Sequence, residues 1–275
     1  MISIYLKFPL SAKLGIAFLI VVTLAAVLAP WLAPYSYDWQ ETANSLALPD
    51  TRNLMGTDRL GRDLFSRILY GARITLFVGI GTTLAAVIFG SIYGAISGYI
   101  GGKTDSIMMR ILDVVFSLPD LLMIILITVA LGHGTIGILL ALTLVSWMTI
   151  ARLVRGEVLR IKEFLFVEAA RALGASSLRV LFREILPNIW GPLLITLTFR
   201  IPVAILAEST LSFIGLGIAP PLSSWGVLAN DGWSAIKFYP HLIIFPSVAI
   251  FLTVLSFNMV GEGLRDILDP QNKYS

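Results

Sequence analysis

The sequence predicts an all-α, polytopic membrane protein with six transmembrane helices. Of its 275 residues, 57% are hydrophobic and only 13% are charged, about half the charge fraction of an ordinary soluble domain. The mean hydropathy is +0.86. The apolar residues gather into stretches of about 20 residues, the length that crosses the hydrocarbon core of a bilayer. This composition leaves little room for a separate soluble domain.

The first apolar stretch covers residues 14–32 and contains no charged residue. Lys7 and Lys13 precede it, so the stretch also resembles a signal peptide, and Val27-Leu28-Ala29 resembles a cleavage site. Because Pro30 follows directly and should block cleavage, we expect a retained first helix that enters from the cytoplasm.

Residues 33–73 form a polar segment before the second span. Leu60, Leu64, Ile68 and Ala72 recur every fourth residue there, with charged residues between them. The spacing predicts an amphipathic helix that lies on the membrane surface before the chain re-enters. A solvated helix with charge pairs is the alternative interpretation.

The second span covers residues 74–100, and its glycines form a regular pattern. Gly90, Gly94 and Gly98 repeat every fourth residue, so one smooth helix face is predicted to pack closely on a neighbouring helix. Gly101-Gly-Lys-Thr-Asp105 follows as a polar turn that lacks the rest of a phosphate-binding loop, and we therefore expect no nucleotide site in this chain.

The remaining spans are predicted at residues 107–130, 135–151, 190–214 and 242–260. The third is interrupted by Pro119, which should kink or break it. The chain has no cysteine, which excludes disulfides and thiolate metal sites. His133 and His241 are far apart and show no metal-ligand spacing.

Lysine and arginine counts predict the orientation of the spans, because these residues are enriched in cytoplasmic loops. Six spans place both termini on one side. With the N-terminus inside, six basic residues lie outside and Arg200 lies within a span, whereas thirteen lie inside: Lys7, Lys13, Lys103, Arg110, Arg152, Arg155, Arg160, Lys162, Arg171, Arg179, Arg183, Arg265 and Lys273. The counts favour cytoplasmic termini.

The polar stretch from Glu168 to Pro187 is then a cytoplasmic loop between the fourth and fifth spans. After Gly174, the residues Leu178, Leu181, Phe182 and Ile185 fall on one helical face. Ser176 or Ser177 can cap this helix, and Pro187 should stop it. A compact helical loop of this kind is typical of a docking surface.

The stretch also resembles a known motif. Glu168-Ala-Ala, three residues, Gly174, nine residues and then Glu184-Ile-Leu-Pro187 is similar to the EAA loop of the membrane subunits of bacterial ABC importers. One position departs from the pattern, because Glu184 stands where Ile is usual.

Three further segments resemble the C-type permeases of peptide/nickel ABC importers: Gly56 to Arg67, Leu211 to Gly217 with Pro220-Pro221 and Trp225-Gly226, and Phe257 to Pro270. The resemblance implies a type I ABC importer permease fold. It divides the chain into residues 1–73 (first helix and external segment), 74–262 (a core of five helices with a coupling loop at 153–189) and 263–275 (a cytoplasmic tail).

The resemblance implies a permease subunit in a bacterial cell membrane that forms half of a translocation pathway for peptides. Its implied partners are a second permease, one or two cytoplasmic ATPases and an external solute-binding protein. ATP and Mg would be bound by the ATPases and no cofactor by this chain, which would not be an enzyme. A nickel or metal-chelate importer is the alternative substrate class.

The coupling loop supplies the main candidate site, with small residues for close approach, a hinge and apolar residues that can fill a partner groove. Its expected members are Glu168, Ala169, Ala170, Arg171, Ala172, Leu173, Gly174, Leu178, Phe182, Leu186 and Pro187. Arg171, Arg179 and Arg183 can pair with acidic residues of the partner.

Polar residues inside the spans are the candidates for the translocation pathway, because burying them in lipid is costly. They are Asp120, Arg200, Glu208 and Asn258. Buried hydrogen bonds between helices, or contacts with headgroups, are the alternative roles. Arg200 and Glu208 are eight residues apart on one helix, so they should meet other elements and not each other.

Three other classes of membrane protein remain open on the residues alone. An ion-coupled secondary transporter needs no docking loop, a membrane enzyme needs a cluster of His, Asp or Glu, and a structural or insertase-type protein needs neither. Binding of an ATPase distinguishes the importer from all three.

Overall fold

The computed structural model describes residues 8–132 and 134–268. Lys7, His133, Lys273 and the end of the predicted tail at 269–275 lie outside the described residues. The helices are α1 (Leu10–Val27), α2 (Ala29–Leu32), α3 (Leu64–Ile100), α4 (Gly102–Phe116), α5 (Asp120–Leu131), α6 (Thr135–Ile161), α7 (Leu165–Ala172), α8 (Ser177–Phe213), α9 (Trp225–Trp233) and α10 (His241–Leu268).

The all-α membrane fold predicted from composition is confirmed. Five helices, α1, α3, α6, α8 and α10, are long and apolar enough to cross a bilayer. The bent pair of α4 and α5 brings the number to six if the pair counts as one span. Leucine, isoleucine and phenylalanine side chains remain exposed along these helices, as expected of faces that meet acyl chains or another subunit.

Helices α3 and α6 form the closest helix pair, and glycines make their approach possible. A Cβ on Gly94 would lie 2.3 Å from the Ala151 carbonyl oxygen, and one on Gly90 would lie 2.6 Å from the Ile150 Cβ. A Cβ on Gly98 would lie 3.0 Å from the Val158 Cβ. The close packing predicted from the glycine spacing is confirmed.

The third span is broken where the sequence predicts it. Helix α4 ends before Pro119, and α5 leaves at 83° to it. Asp105 and Asp113 of α4 pair with Arg155 and Arg152 of α6, so both ends of α4 lie near one end of α6. Helix α5 has 12 residues and rises about 18 Å, less than the hydrocarbon thickness.

The described chain ends lie together at one end of the helix bundle. A Cβ on Gly263 of α10 would meet Phe8, Pro9 and Ala12. Lys162, after α6, donates to the Gly98 carbonyl oxygen near the end of α3 at 3.1 Å. We call the end of the bundle that holds Lys162 and both described chain ends the α7 end, because α7 follows Lys162 directly. The opposite end of the bundle is the α9 end.

The prediction of a separate amphipathic surface helix before the second span is wrong. Residues 56–63 are not helical, and from Leu64 onward the chain forms the first turns of α3. Asp63 caps that helix by accepting a hydrogen bond from the Ser66 N–H. Leu64, Ile68 and Ala72, which recur every four residues, lie on the buried side of α3. All three contribute to one packed apolar cluster.

A network of buried ion pairs ties the polar segment to the start of α3. Asp58 pairs with Arg62 and with Arg67, which is 2% exposed. Asn53 donates to the Asp63 carboxylate at 2.9 Å. These bonds explain why the charged residues of 33–73 do not form a solvated helix.

Helix α9 is anchored on α3 by its first residue, Trp225, which is 2% exposed. Its backbone N–H donates to the Thr75 hydroxyl at 3.1 Å, and its indole N–H donates to the Ile68 carbonyl oxygen at 3.0 Å. Helix α9 is therefore fixed in position across the α9 end of the bundle.

Candidate functional site

The predicted coupling loop forms a compact helical unit between α6 and α8. It is shorter than the predicted range of 153–189, because α6 continues to Ile161 and α8 already begins at Ser177. Helix α7 lies between them. Val167 of α7 is fully buried in a cluster with Val180, Leu181 and Ile185 of α8 and with Val158 and Ile161 of α6. The unit is thus packed rigidly on two of the long helices.

Gly174 makes the turn between α7 and α8. Its φ is +83°, in the left-handed region that favours glycine. The Gly174 N–H donates to the Arg171 carbonyl oxygen and the Ala175 N–H to that of Ala170, which together form a Schellman motif. Among the described residues, no atom beyond its chain neighbours lies within 4 Å of a Cβ placed on Gly174, so the positive φ and not a lack of space favours glycine here.

The N-terminus of α8 is capped by one of the two predicted serines. The Ser176 hydroxyl accepts a hydrogen bond from the Arg179 N–H at 3.4 Å. This cap starts α8 at Ser177, three residues after Gly174, which keeps the connection short.

Pro187 does not end this helix, contrary to the prediction. Residues Val180–Ile185 form a π-helical segment, and the α-helix resumes at Leu186 with Pro187 in its first turn. The wider π turn changes the hydrogen-bonding register just before the proline, which lacks an N–H. The Asn188 side-chain amide donates to the Glu184 carbonyl oxygen at 2.6 Å. One helix therefore runs from the loop into the fifth span.

The helical face predicted for Leu178, Leu181, Phe182 and Ile185 is divided in the structure. Leu181 and Ile185 are buried, whereas Leu178 and Phe182 are 69% and 63% exposed. The π segment explains the division, because a straight α-helical spacing no longer holds across it.

The exposed apolar residues of this unit form a surface that we call the apolar tip, consisting of Leu165, Leu173, Leu178 and Phe182. Leu173 is 89% exposed and Leu165 is 81% exposed. The same helical unit also exposes small and basic residues close in sequence to the tip, namely Ala169, Ala172, Arg171, Arg179 and Arg183. An exposed apolar patch with a polar rim marks an interaction surface.

The other predicted coupling residues have different degrees of exposure. Glu168 and Pro187 are exposed, whereas Ala170 and Leu186 are half-buried. The Arg171 guanidinium lies 5.9 Å from the centre of the Tyr99 ring at the end of α3. Arg171 thus connects α7 to the helix that packs on α6.

Two of the four predicted pathway residues, Arg200 and Asp120, lie near each other without forming an ion pair. The half-buried Arg200 of α8 lies within electrostatic range of Asp120, the exposed first residue of α5. Asn258 is half-buried on α10. The structure does not pair Arg200 with Glu208, which agrees with their spacing.

Glu208 is fully buried and connects α8 to the loop before α9. Its Oε1 atom accepts hydrogen bonds of 2.6 Å from both the Ser212 and the Ser224 hydroxyls. Ser224 is also the N-cap of α9, where it accepts from the Val227 N–H. These contacts give Glu208 a positioning role at the α9 end.

The profile of the binding-protein-dependent transport system inner membrane component family matches residues 86–274. That range contains the helical unit between α6 and α8 and four of the five long helices wholly or in part. The chain belongs to this family.

The N-terminal part of the permease also matches a family profile, that of the N-terminal transmembrane domain of oligopeptide transport permease C, over residues 11–50. The permease is 43% identical to the oligopeptide transport system permease protein OppC of Bacillus subtilis over 260 residues, which are 94% of this chain and 85% of OppC. It is 44% identical to the dipeptide transport system permease protein DppC of the same organism, over 94% of this chain and 82% of DppC.

A third relative is the glutathione transport system permease protein GsiD of Pectobacterium atrosepticum. It is 39% identical to the permease over 98% of this chain and 89% of GsiD. The permease is therefore an inner-membrane component of a bacterial importer, and its family consists of transporter components without catalytic activity of their own.

The sequence-based prediction missed Leu165 and Phe166, which add exposed apolar area next to Glu168; Phe166 is 39% exposed. Their signal is visible in the sequence, because three apolar residues, Phe164 to Phe166, directly follow Lys162 and Glu163 in a polar loop.

Within the described residues, no three His, Asp or Glu side chains are grouped so that they could hold a metal ion.

Proposed function

We propose that this permease forms one half of a peptide-conducting pathway and transmits ATP-driven motion to it through the apolar tip. The observation that carries the proposal is the continuity of α8, which runs from the tip at Ser177 through the membrane to Phe213. A displacement of the tip would move the whole helix, because rigid secondary elements transmit such shifts.

The proposed partner at the tip is a cytoplasmic ATPase, and one or two ATPase subunits would serve the permease and a second, similar permease. ATP and Mg would be bound in the ATPases, and this chain would carry out no chemistry. Exposed leucines and a phenylalanine beside basic residues suit a groove that is apolar at its centre and acidic at its rim.

The proposed orientation places the α7 end and both termini in the cytoplasm. Thirteen lysines and arginines against six, counted over the loops, support this assignment. The α9 end would then face the outside, where a solute-binding protein delivers the substrate.

Peptides are the proposed substrate class. The names of three relatives, which transport oligopeptides, dipeptides and glutathione, support this choice. Each of those substrates is a peptide with at least one free carboxylate, so a pathway for them needs polar groups that recognise charge.

The test is co-purification of the complete importer from a membrane that contains the permease, its partner permease, the ATPases and the binding protein. We expect the double variant Leu173→Glu, Leu178→Glu to reduce the bound ATPase about tenfold or more, because an unpaired charge is costly to bury in the apolar core of an interface. Phe238→Glu is the matched control, since Phe238 is 80% exposed in the loop after α9. ATPase binding at the wild-type level in the double variant would contradict the proposal.

A further inference from the structure

A cavity of about 430 Å³ opens at the α9 end of the bundle, away from the apolar tip. It lies between the segment after α2, the beginning of α3 and the loop before α9. Its walls include three aromatic side chains, one arginine and one serine, namely Tyr37, Tyr70, Phe77, Arg73 and Ser223. The volume is in the range of small-molecule sites.

Arg73 brings an uncompensated positive charge to this cavity. The neighbouring Arg62 and Arg67 are each paired with Asp58. Among the residues that the structure describes, none places a carboxylate within ion-pair distance of Arg73. Its guanidinium is exposed and is free to bind an anion.

Ser223 adds a polar group without a partner. The residue is 4% exposed, and its buried hydroxyl makes no hydrogen bond within residues 8–132 and 134–268. A buried hydroxyl is normally satisfied, and leaving one unpaired is unfavourable. A polar ligand atom in the cavity would satisfy it.

Aromatic residues supply the apolar part of the cavity wall. The rings of Tyr37 and Tyr70 lie 5.1 Å apart at an angle of 55°, and Phe77, one helical turn below Arg73, is 51% exposed. A cation, a hydroxyl and an aromatic wall together fit a small ligand with a carboxylate and an adjacent apolar group.

We propose that this cavity binds the C-terminal residue of the transported peptide. Arg73 would bind the terminal carboxylate, Ser223 would donate a hydrogen bond to it, and Tyr37, Tyr70 and Phe77 would contact the last side chain. The proposal rests on the proposed function, since it assigns a site to the peptide substrate of the same pathway.

The test measures direct binding to the importer complex without its binding protein, in nanodiscs of phosphatidylcholine only. The probes are the dipeptide alanyl-phenylalanine and its C-terminal amide, observed by saturation-transfer NMR. We expect the wild-type complex to bind the free carboxylate form about tenfold or more tightly than the amide, as loss of a charge-assisted hydrogen bond implies.

Three variants distinguish a binding role for Arg73 from a structural one. Arg73→Gln is expected to bind both probes equally weakly, and Arg73→Lys to retain part of the preference because the charge remains. Arg52→Gln, which removes another exposed arginine of the same polar segment, is expected to leave the preference unchanged. Equal amounts of assembled complex establish that folding is intact.

Two results would overturn the proposal: equal binding of both probes by the wild type, or an unchanged preference in Arg73→Gln. If adding phosphatidylserine to the nanodiscs abolished dipeptide binding, Arg73 would instead be assigned to the binding of anionic lipid headgroups. Peptide uptake by the complete importer in proteoliposomes distinguishes failure of the proposed function from failure of this inference. A wild-type complex that imports no peptide refutes the proposed function, whereas peptide import with an unaffected Arg73→Gln variant refutes only this inference.

Discussion

The Glu208 carboxylate, near the C-terminal end of α8, accepts a 2.6 Å hydrogen bond from the Ser224 hydroxyl, 16 residues later in the chain. Glu208 is fully buried, and Ser224 caps α9 from the same position. The helix that begins at the apolar tip is thus bonded at its other end to the loop that carries α9. Close packing supports the bond, because a Cβ on Gly226 would lie 2.5 Å from the Ser209 Cα.

We predict that Glu208→Ala lowers the stability of the purified permease. The variant removes the acceptor of the buried Ser212 and Ser224 hydroxyls, whose oxygens are 3.4 Å apart. One hydroxyl can then donate to the other, and the one that is left without an acceptor costs about 1–3 kcal/mol. The measurement is the thermal unfolding midpoint of the permease in detergent. Glu208→Gln is the matched control, since its amide oxygen can accept both bonds, and equal midpoints for the two variants would contradict the role given to the carboxylate oxygen.

We predict that Gly94→Ala separates α3 from α6. The added methyl group would lie 2.3 Å from the Ala151 carbonyl oxygen, which is backbone and cannot move away by a rotamer change. Overpacking of this kind costs about 1–3 kcal/mol, so the unfolding midpoint should fall by several degrees.

Gly156→Ala is the control for that experiment, because within the described residues nothing beyond its chain neighbours lies within 4 Å of a Cβ there. Both glycines lie within long helices, so the gain in helix propensity is the same for both variants. A midpoint for Gly94→Ala no lower than that of Gly156→Ala would show that α3 and α6 can adjust without loss.

Much of this architecture follows from local sequence patterns. Gly90, Gly94 and Gly98 predict a closely packed face on α3, because they leave that face without side chains, although they do not identify α6 as the partner. Pro119 predicts the break between α4 and α5, since a proline in the interior of a helix removes one of its hydrogen bonds. The turn at Gly174 is predictable for a similar local reason.

The errors arise where distant contacts decide the local structure. The charges at Asp58, Arg62 and Arg67 suggest solvent exposure, but these residues are buried because they pair with one another. Pro187 predicts a helix end, and only the π segment before it allows the helix to continue. The cavity at Arg73 is formed by three separate segments, so no single stretch of the sequence contains its pattern.

We predict that Arg67→Leu strongly destabilises the permease. The variant leaves the Asp58 carboxylate, whose side chain is 8% exposed, without one of its two cations. Breaking a buried ion pair by removing one partner costs about 3–5 kcal/mol. We expect a reduced amount of assembled permease in the membrane and a lower unfolding midpoint.

An exposed ion pair provides the comparison for Arg67. Arg160 pairs with Glu157 on α6, and its side chain is 57% exposed, so Arg160→Leu should change stability by less than about 1 kcal/mol. Similar losses for Arg67→Leu and Arg160→Leu would mean that the Asp58 network contributes no more than a surface pair.

We predict that Gly174→Val impairs coupling while the fold of the membrane-spanning part is retained. Valine is strained at a φ of +83°, at about 1–2 kcal/mol or more for a side chain with a branched Cβ, so the turn between α7 and α8 should change its shape. The space around Gly174 is open, and the strain is therefore confined to the position of the apolar tip. The measurement is ATP hydrolysis stimulated by the liganded binding protein, which should fall several-fold while the unfolding midpoint changes little.

Gly156→Ala is the control, because Gly156 also has open space around it but lies within the α-helix of α6. Stimulated hydrolysis in Gly174→Val that equals that of Gly156→Ala would show that the shape of this turn does not transmit the motion.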